Sequence, residues 1–133
     1  MEQKPKTSGI DSYRKTAVTT ASRETILLML YAGAIRFLKG AIEAAERKDI
    51  AERSRLIAKV QAIVTELRSV LDFKIGGDIA IELDRLYAFV TTRLVSATIQ
   101  QNTDHLREAL KVLETLQIGW EEAVASLKKQ KEG

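Results

Sequence analysis

The sequence predicts an all-α protein that folds as an antiparallel up-down-up-down four-helix bundle. Apolar residues recur at alternating spacings of three and four through most of the chain, which is the period of one helix face. Short turn signals near residues 48, 76 and 102 divide this pattern into four segments of similar length. No segment keeps a period of two for long, which argues against strands. Helices joined by short turns pack antiparallel to their sequence neighbours, and this gives the bundle.

The first helix is predicted from a cap at Ser22 to Lys48, with Glu24 in the first turn, where the helix dipole favours negative charge. Its main seam consists of Leu27, Tyr31, Ala34, Leu38, Ala41 and Ala45. Further apolar rows contain Leu28, Ile35 and Ile42, and then Ile26, Met29 or Leu30, and Phe37. The N-terminal half is therefore apolar on most of its circumference. Such a helix is either central in its own domain or part of a surface that another chain covers.

Two glycines, Gly33 and Gly40, lie on one stripe of this helix. Each costs about 1 kcal/mol relative to alanine in a helix interior. We expect a large side chain or a backbone to come close to them, supplied by a neighbouring helix of the same chain.

The second helix begins at Asp49, which forms a capping-box pattern with Glu52, and runs to about Phe73. Its seam is predicted as Leu56, Val60, Ile63, Leu67 and Val70, with Ile57, Val64 and Leu71 beside it. Gly76 and Gly77 predict a tight reversal, because glycine adopts positive φ without strain.

The third helix is predicted from a cap at Asp78 to about Gln101, and 102–104 supplies capping residues for the fourth. The predicted inward residues of the third helix are Ile79, Leu83, Leu86, Val90 and Ala97. Those of the fourth are Leu106, Ala109, Leu113, Leu116, Trp120, Ala123 and Leu127, the most regular period in the chain.

The chain divides into a polar N-terminal segment, 1–20, and a helical domain, 21–130. Within the segment, Ile10, Tyr13 and Ala17 have helical spacing, and Val18 follows them. The segment is either a disordered lead-in or a short amphipathic helix that docks on the bundle, and the pattern leaves both open.

Composition limits the function. The chain has 133 residues, no cysteine and a formal charge of +3, too small a bias to indicate nucleic-acid binding. The N-terminus has no secretory signal peptide, and basic residues at Arg23, Arg36 and Lys39 interrupt the longest apolar run. We therefore expect a cytoplasmic protein without membrane insertion.

The search for catalytic chemistry is negative. The single histidine, His105, lies in a polar first turn, where a solvated side chain is the simplest interpretation. No Glu-x-x-His pair for a di-iron site and no Gly-rich phosphate loop is present. We expect no enzyme activity, no metal and no cofactor.

Several motifs, in order, resemble the FliS family of bacterial flagellar secretion chaperones over about residues 10–127. The matching stretches are Tyr13 with V-T-T-A-S at 18–22, L-M-L-Y-A-G-A-I at 28–35, D-I at 49–50, L-D at 71–72, G-G-D-I-A at 76–80, L-Y at 86–87, R-L at 93–94 and W-E-E at 120–122. Three positions depart from the family pattern: Arg23 replaces proline, Ala32 replaces aspartate, and Thr98 replaces asparagine.

The resemblance implies a chaperone that binds the disordered C-terminal segment of flagellin, prevents premature polymerisation and presents the subunit to a component of the flagellar export gate. Surplus apolar rows on the first and third helices would offer grooves for an amphipathic helix. The residues expected to bind flagellin are Ile10, Tyr13, Val18, Leu28, Tyr31, Ile35, Ile79, Leu83, Tyr87 and Val95. The alternative is a structural or regulatory bundle that self-associates through the same rows, and a weak homodimer also stays open.

Overall fold

The computed structural model describes residues 22–132 and shows four helices in antiparallel order. They are α1 (Arg23–Glu46), α2 (Ile50–Ser69), α3 (Phe73–Gln100) and α4 (Thr103–Glu132). Helix α1 packs against α2 and α4, and α3 packs against the same two helices. The predicted all-α bundle is confirmed. The N-terminal segment, which the sequence analysis treats as disordered or docked, lies outside the described residues.

Side-chain caps begin each helix. The Ser22 hydroxyl accepts a hydrogen bond from the Thr25 amide at 3.2 Å, as predicted. The Asp49 carboxylate accepts from the Glu52 amide at 3.1 Å. Only this half of the predicted capping box forms, because the Glu52 carboxylate pairs with Arg55 instead.

The predicted end of the second helix, at about Phe73, is wrong, whereas the predicted break before Asp78 is present as a kink at Gly77. Helix α2 ends at Ser69, and α3 begins at Phe73 rather than at Asp78. The Asp72 carboxylate accepts from the amides of Lys74 and Ile75 and so opens a helical turn before the glycines.

Gly77 then interrupts α3 with φ 51° and ψ −126°, a conformation that essentially only glycine adopts. The predicted positive φ in the glycine pair is therefore confirmed, but it marks a kink inside the helix.

Most of the predicted inward residues form one core, and the exceptions are informative. The fully buried side chains, at 0% exposure, include Leu38, Val60, Val90, Leu106 and Leu113. Four residues predicted to point inward are exposed instead: Val70, Ile79, Ala123 and Leu127. Val70 lies just past the end of α2, and after the kink it is Ala80 that turns inward.

Helix α1 packs against α2 and α4, and seven of its 24 residues are buried. By length and composition alone it is apolar enough to cross a membrane, a test that the core helix of a soluble protein also meets. The glycine prediction is confirmed, because a Cβ at Gly40 would lie 3.1 Å from Leu56 Cδ1 and one at Gly33 would lie 3.6 Å from Ile63 Cδ1. Side chains of α2 fill this space.

Candidate interaction surface

Exposed apolar side chains are concentrated at one end of the bundle. Antiparallel order brings the start of α1, the end of α2, the start of α3 and the last turns of α4 to the same end. We call this region, residues 22–30, 67–83 and 118–130, the open end. Its exposed large apolar side chains are Met29, Val70, Phe73, Ile75, Ile79, Ile81, Ile118 and Leu127. A concentration of exposed large apolar side chains of this kind marks an interaction site.

The side chains behind this surface are incompletely covered. Several that pack on the core at the open end are only half-buried, among them Ile26, Leu27, Leu71 and Leu83. The adjoining turn at Phe73 ends in the Gly77 kink, and Ile75 within it is 87% exposed. The open end therefore has both an apolar rim and a partly accessible apolar floor.

The other half of the bundle has a more completely buried core. We call residues 34–64 and 90–116 the sealed half, because their inward side chains are nearly all buried. Its outer surface carries three ion pairs that link helices: Lys39–Glu114 and Arg107–Glu46 join α1 to α4, and Arg93–Glu108 joins α3 to α4. Exposed pairs of this type stabilise weakly.

A buried polar network lies where the two regions meet. The hydroxyls of Tyr31 on α1 and Tyr87 on α3 are 2.6 Å apart, and the Trp120 indole N–H on α4 donates to the Tyr31 hydroxyl at 3.2 Å. Tyr31 is 0% exposed and Tyr87 is 1% exposed. Burial raises the pKa of both phenols further above neutral pH.

The ten residues expected from the sequence to bind flagellin fall into separate groups. Ile10, Tyr13 and Val18 lie outside the described residues. Ile79 and Val95 are exposed, and Leu28 and Leu83 are half-buried. Tyr31, Ile35 and Tyr87 are buried in the core, and of the three only Ile35, at 7% exposure, also lines a surface groove.

The structure brings only part of this set together. Leu28, Ile79 and Leu83 belong to the open end, whereas Val95 lies on the outer face of α3 within the sealed half. Ile35 is a core side chain, so a charge placed there would test stability and not binding.

Sequence reasoning missed the exposed turn at Phe73 and Ile75. The available signal was Asp72, a capping residue three positions before Ile75. Apolar residues continue past Ser69 to Phe73, so the helical period alone does not show that α2 ends before Asp72.

An open groove of about 530 Å³ lies on the outer side between α1 and α4. Its lining is Ala32, Ile35, Arg36, Lys39, Gly40, Glu43 and Gln117. Ala32, one of the departures from the family pattern, therefore faces a surface groove and not the core.

The polar groups form structural clusters. The His105 side chain is 17% exposed, less solvated than expected, with Nε2 3.0 Å from Gln100 Oε1 and Nδ1 3.1 Å from Glu108 Oε1. The bond from His105, followed by that from Arg93, lowers the pKa of the Glu108 carboxyl. Among residues 22–132, no group of three or more His, Cys, Asp or Glu side chains is placed to hold a metal ion.

The family model and the relatives that this chain matches all belong to one family. The family model described as flagellar protein FliS matches residues 6–127. A flagellar secretion chaperone FliSB from Pseudomonas aeruginosa is 36% identical over 104 residues, which cover 78% of this chain and 82% of that protein. The flagellar secretion chaperone FliS of Bacillus subtilis is 29% identical over 122 residues, 92% of this chain and 90% of that protein.

The flagellar secretion chaperone FliS of Salmonella typhimurium is 28% identical over 120 residues, which cover 86% of this chain and 89% of that protein. The family match thus spans all but the last turns of the bundle, and it agrees with the helical fold. The chain therefore belongs to the FliS family of flagellar secretion chaperones.

Proposed function

We propose that this protein binds the disordered C-terminal segment of flagellin in the cytoplasm, keeps it from polymerising prematurely and aids its delivery to the flagellar export gate. The observation that carries the proposal is the apolar surface of the open end on a chain that belongs to a flagellar chaperone family. No comparable surface is needed for a helical bundle that acts alone.

The shape and chemistry of the open end fit an amphipathic helix. Ile75, Ile79 and Phe73 form an exposed rim on α3, and half-buried leucines lie behind it. A helix presents apolar side chains at spacings of three, four and seven, which suits a surface with exposed and half-buried apolar side chains. A client that folds as it binds loses conformational entropy, so a large contact area gives moderate affinity and permits release at the export gate.

The test is the affinity of a flagellin C-terminal segment for variants with a charge in the open end. Ile79 is 69% exposed, so Ile79→Asp should leave the fold intact and weaken binding by about tenfold or more. Isothermal titration measures the affinity, and circular dichroism checks the helix content.

The matched control is Ile50→Asp. Ile50 is 52% exposed and lies at the opposite end of the bundle, where an acidic residue suits the start of α2. This variant should bind like the unmodified protein. Equal affinity for both variants, or a loss confined to Ile50→Asp, would contradict a client site at the open end.

A substitution at Val95 tests how far the client site extends along α3. Val95→Asp places a charge on the outer face of α3, at an exposed position of the sealed half. Weaker binding would extend the client surface along α3. Unchanged binding, together with a loss for Ile79→Asp, would confine it to the open end.

The same apolar surface supports a second candidate, self-association as a structural or regulatory bundle. Light scattering at several concentrations separates the two, because a chaperone awaiting a client should remain monomeric. A mass that rises with concentration, and that Ile79→Asp returns to the monomer value, would favour self-association.

A further inference from the structure

Side chains of α1, α3 and α4 are joined by hydrogen bonds at one position along the bundle axis, which we call the network level. Tyr31 on α1 is the centre of the network, because its hydroxyl meets both the Tyr87 hydroxyl and the Trp120 indole N–H. Tyr31 and Tyr87 come from helices that do not neighbour each other in the bundle, so their bond crosses its interior.

Packing differs on the two sides of this level. Toward the sealed half, the next inward residues are Ala34 on α1, Val90 on α3 and Leu116 on α4. Ala34 and Val90 are 0% exposed, and Leu116 is half-buried, with Leu113 at 0% one turn beyond it. Toward the open end, the next apolar positions along the helices are Leu28, Leu83 and Val124, and all are only half-buried.

Hydrogen bonds and apolar contacts respond differently to movement. A hydrogen bond is directional and weakens steeply with misalignment, whereas apolar burial has no preferred direction. The hydrogen-bonded network therefore fixes the relative positions of α1, α3 and α4 where Tyr31, Tyr87 and Trp120 meet. Apolar contacts beyond it allow the helix ends to separate.

We propose that Tyr31, Tyr87 and Trp120 form an internal boundary at which opening of the bundle stops. The open end then opens as a local unit, and the sealed half opens only when the whole domain unfolds. The inference goes beyond the proposed function, since it concerns how the free chain divides into cooperative units.

The test is hydrogen exchange of the full chain at increasing urea concentration, read by mass spectrometry peptide by peptide. The slope of exchange free energy against urea reports the surface exposed in each opening event. Peptides from the open end should show a shallow slope. Peptides from the sealed half should show the slope of global unfolding.

Two variants remove parts of the network without changing the shape of the rings. Tyr31→Phe removes both hydrogen bonds, and Tyr87→Phe removes only the bond between the tyrosines. With Tyr31→Phe, the open-end slope should rise about twofold toward the global value, because opening now includes the other half of the core. Tyr87→Phe should raise it by a smaller amount.

The control is Val90→Ala, which removes buried apolar volume from the sealed half and leaves the network in place. It should lower global stability and leave the open-end slope at its original value. A variant that only destabilises the core therefore behaves differently from one that removes the boundary.

Either of two results would overturn the inference. One is a single slope for both regions in the unmodified protein. The other is an open-end slope that neither Tyr31→Phe nor Tyr87→Phe increases. Should Tyr31→Phe fail to fold, Tyr87→Phe alone decides the outcome. No flagellin segment is used, so the result is independent of the client proposal.

Discussion

Leu67 on α2 and Leu113 on α4 are buried side chains on opposite sides of the boundary between the open end and the sealed half. Leu67→Ala and Leu113→Ala should each lower the free energy of unfolding by about 2–5 kcal/mol, the usual cost of truncating a buried leucine. Urea denaturation measures both. The control Ile118→Ala, at an exposed position of α4, should change it by less than about 0.5 kcal/mol. If the buried and exposed variants are equally stable, the inward assignment is wrong.

The Arg68–Asp84 pair links α2 to α3 near the open end. The hydrogen bond from the Arg68 guanidinium lowers the pKa of the Asp84 carboxyl. A lowered folded-state pKa adds stability above the unfolded-state value, about 3.9, and this stability is lost as the pH falls through the folded-state pKa.

Asp84→Asn should therefore be less stable than the unmodified protein at pH 7, and the difference should disappear on acidification below about pH 4. Thermal melts across this range measure the difference. Asp78→Asn, at an exposed position of the same helix, is the control and should keep the original acid dependence. A difference for Asp84→Asn that persists at low pH would assign its cause to something other than the ion pair.

Among the elements, the start of α3 depends most on backbone conformation. Gly77 has φ 51° and ψ −126°, and a Cβ there would meet nothing within 4 Å. Gly77→Ala should cost about 1–3 kcal/mol from backbone strain alone.

Gly119→Ala is the matched control, since a Cβ at this helical glycine of α4 also meets nothing within 4 Å. It should stabilise the domain by up to about 1 kcal/mol through helix propensity. If the two variants have equal stability in urea denaturation, Gly77 does not require its positive φ.

Most helices and their caps could be predicted from the sequence. Four helices, the caps at Ser22 and Asp49 and the seam of α1 follow from periodicity and capping chemistry, because these are local properties. The α2–α3 connection was misplaced because Asp72 and Asp78 are both good caps, and only the folded chain shows that Asp72 is used.

The candidate site was harder to predict than the fold. Helices α1 and α3 carry apolar residues on more than one face, so periodicity alone cannot separate Tyr31, Ile35 and Tyr87, which are buried, from Ile79, which is exposed. Which of these residues are buried and which are exposed depends on where each helix ends and on the kink at Gly77. Both are tertiary properties.

For the whole molecule, the open end lies where the N-terminal segment joins the bundle at Ser22. Ile10 and Tyr13, outside the described residues, are expected to rest against this surface when no client is bound, since a tether makes the contact intramolecular. Residues 8–20 should then show slowed hydrogen exchange in the free protein, and adding a flagellin segment should change it.

Deleting residues 2–14 tests what the contact does. Faster client association would show that the segment covers the site. Weaker binding without a gain in association rate would show that it forms part of the site. Full-speed exchange across 8–20, unchanged by client, would contradict both and indicate a disordered lead-in.

Trp120 is the single tryptophan of the chain, and its indole N–H is bonded to a buried hydroxyl beside the open end. Its fluorescence therefore arises from one known position, so a spectral shift on client addition can be attributed to that position without a chemical label. Tyr31 and Tyr87, both close enough to transfer excitation energy, add a second signal. The molecule therefore contains its own fluorescent probe beside the open end, at the position where binding there would change the surroundings of a core side chain.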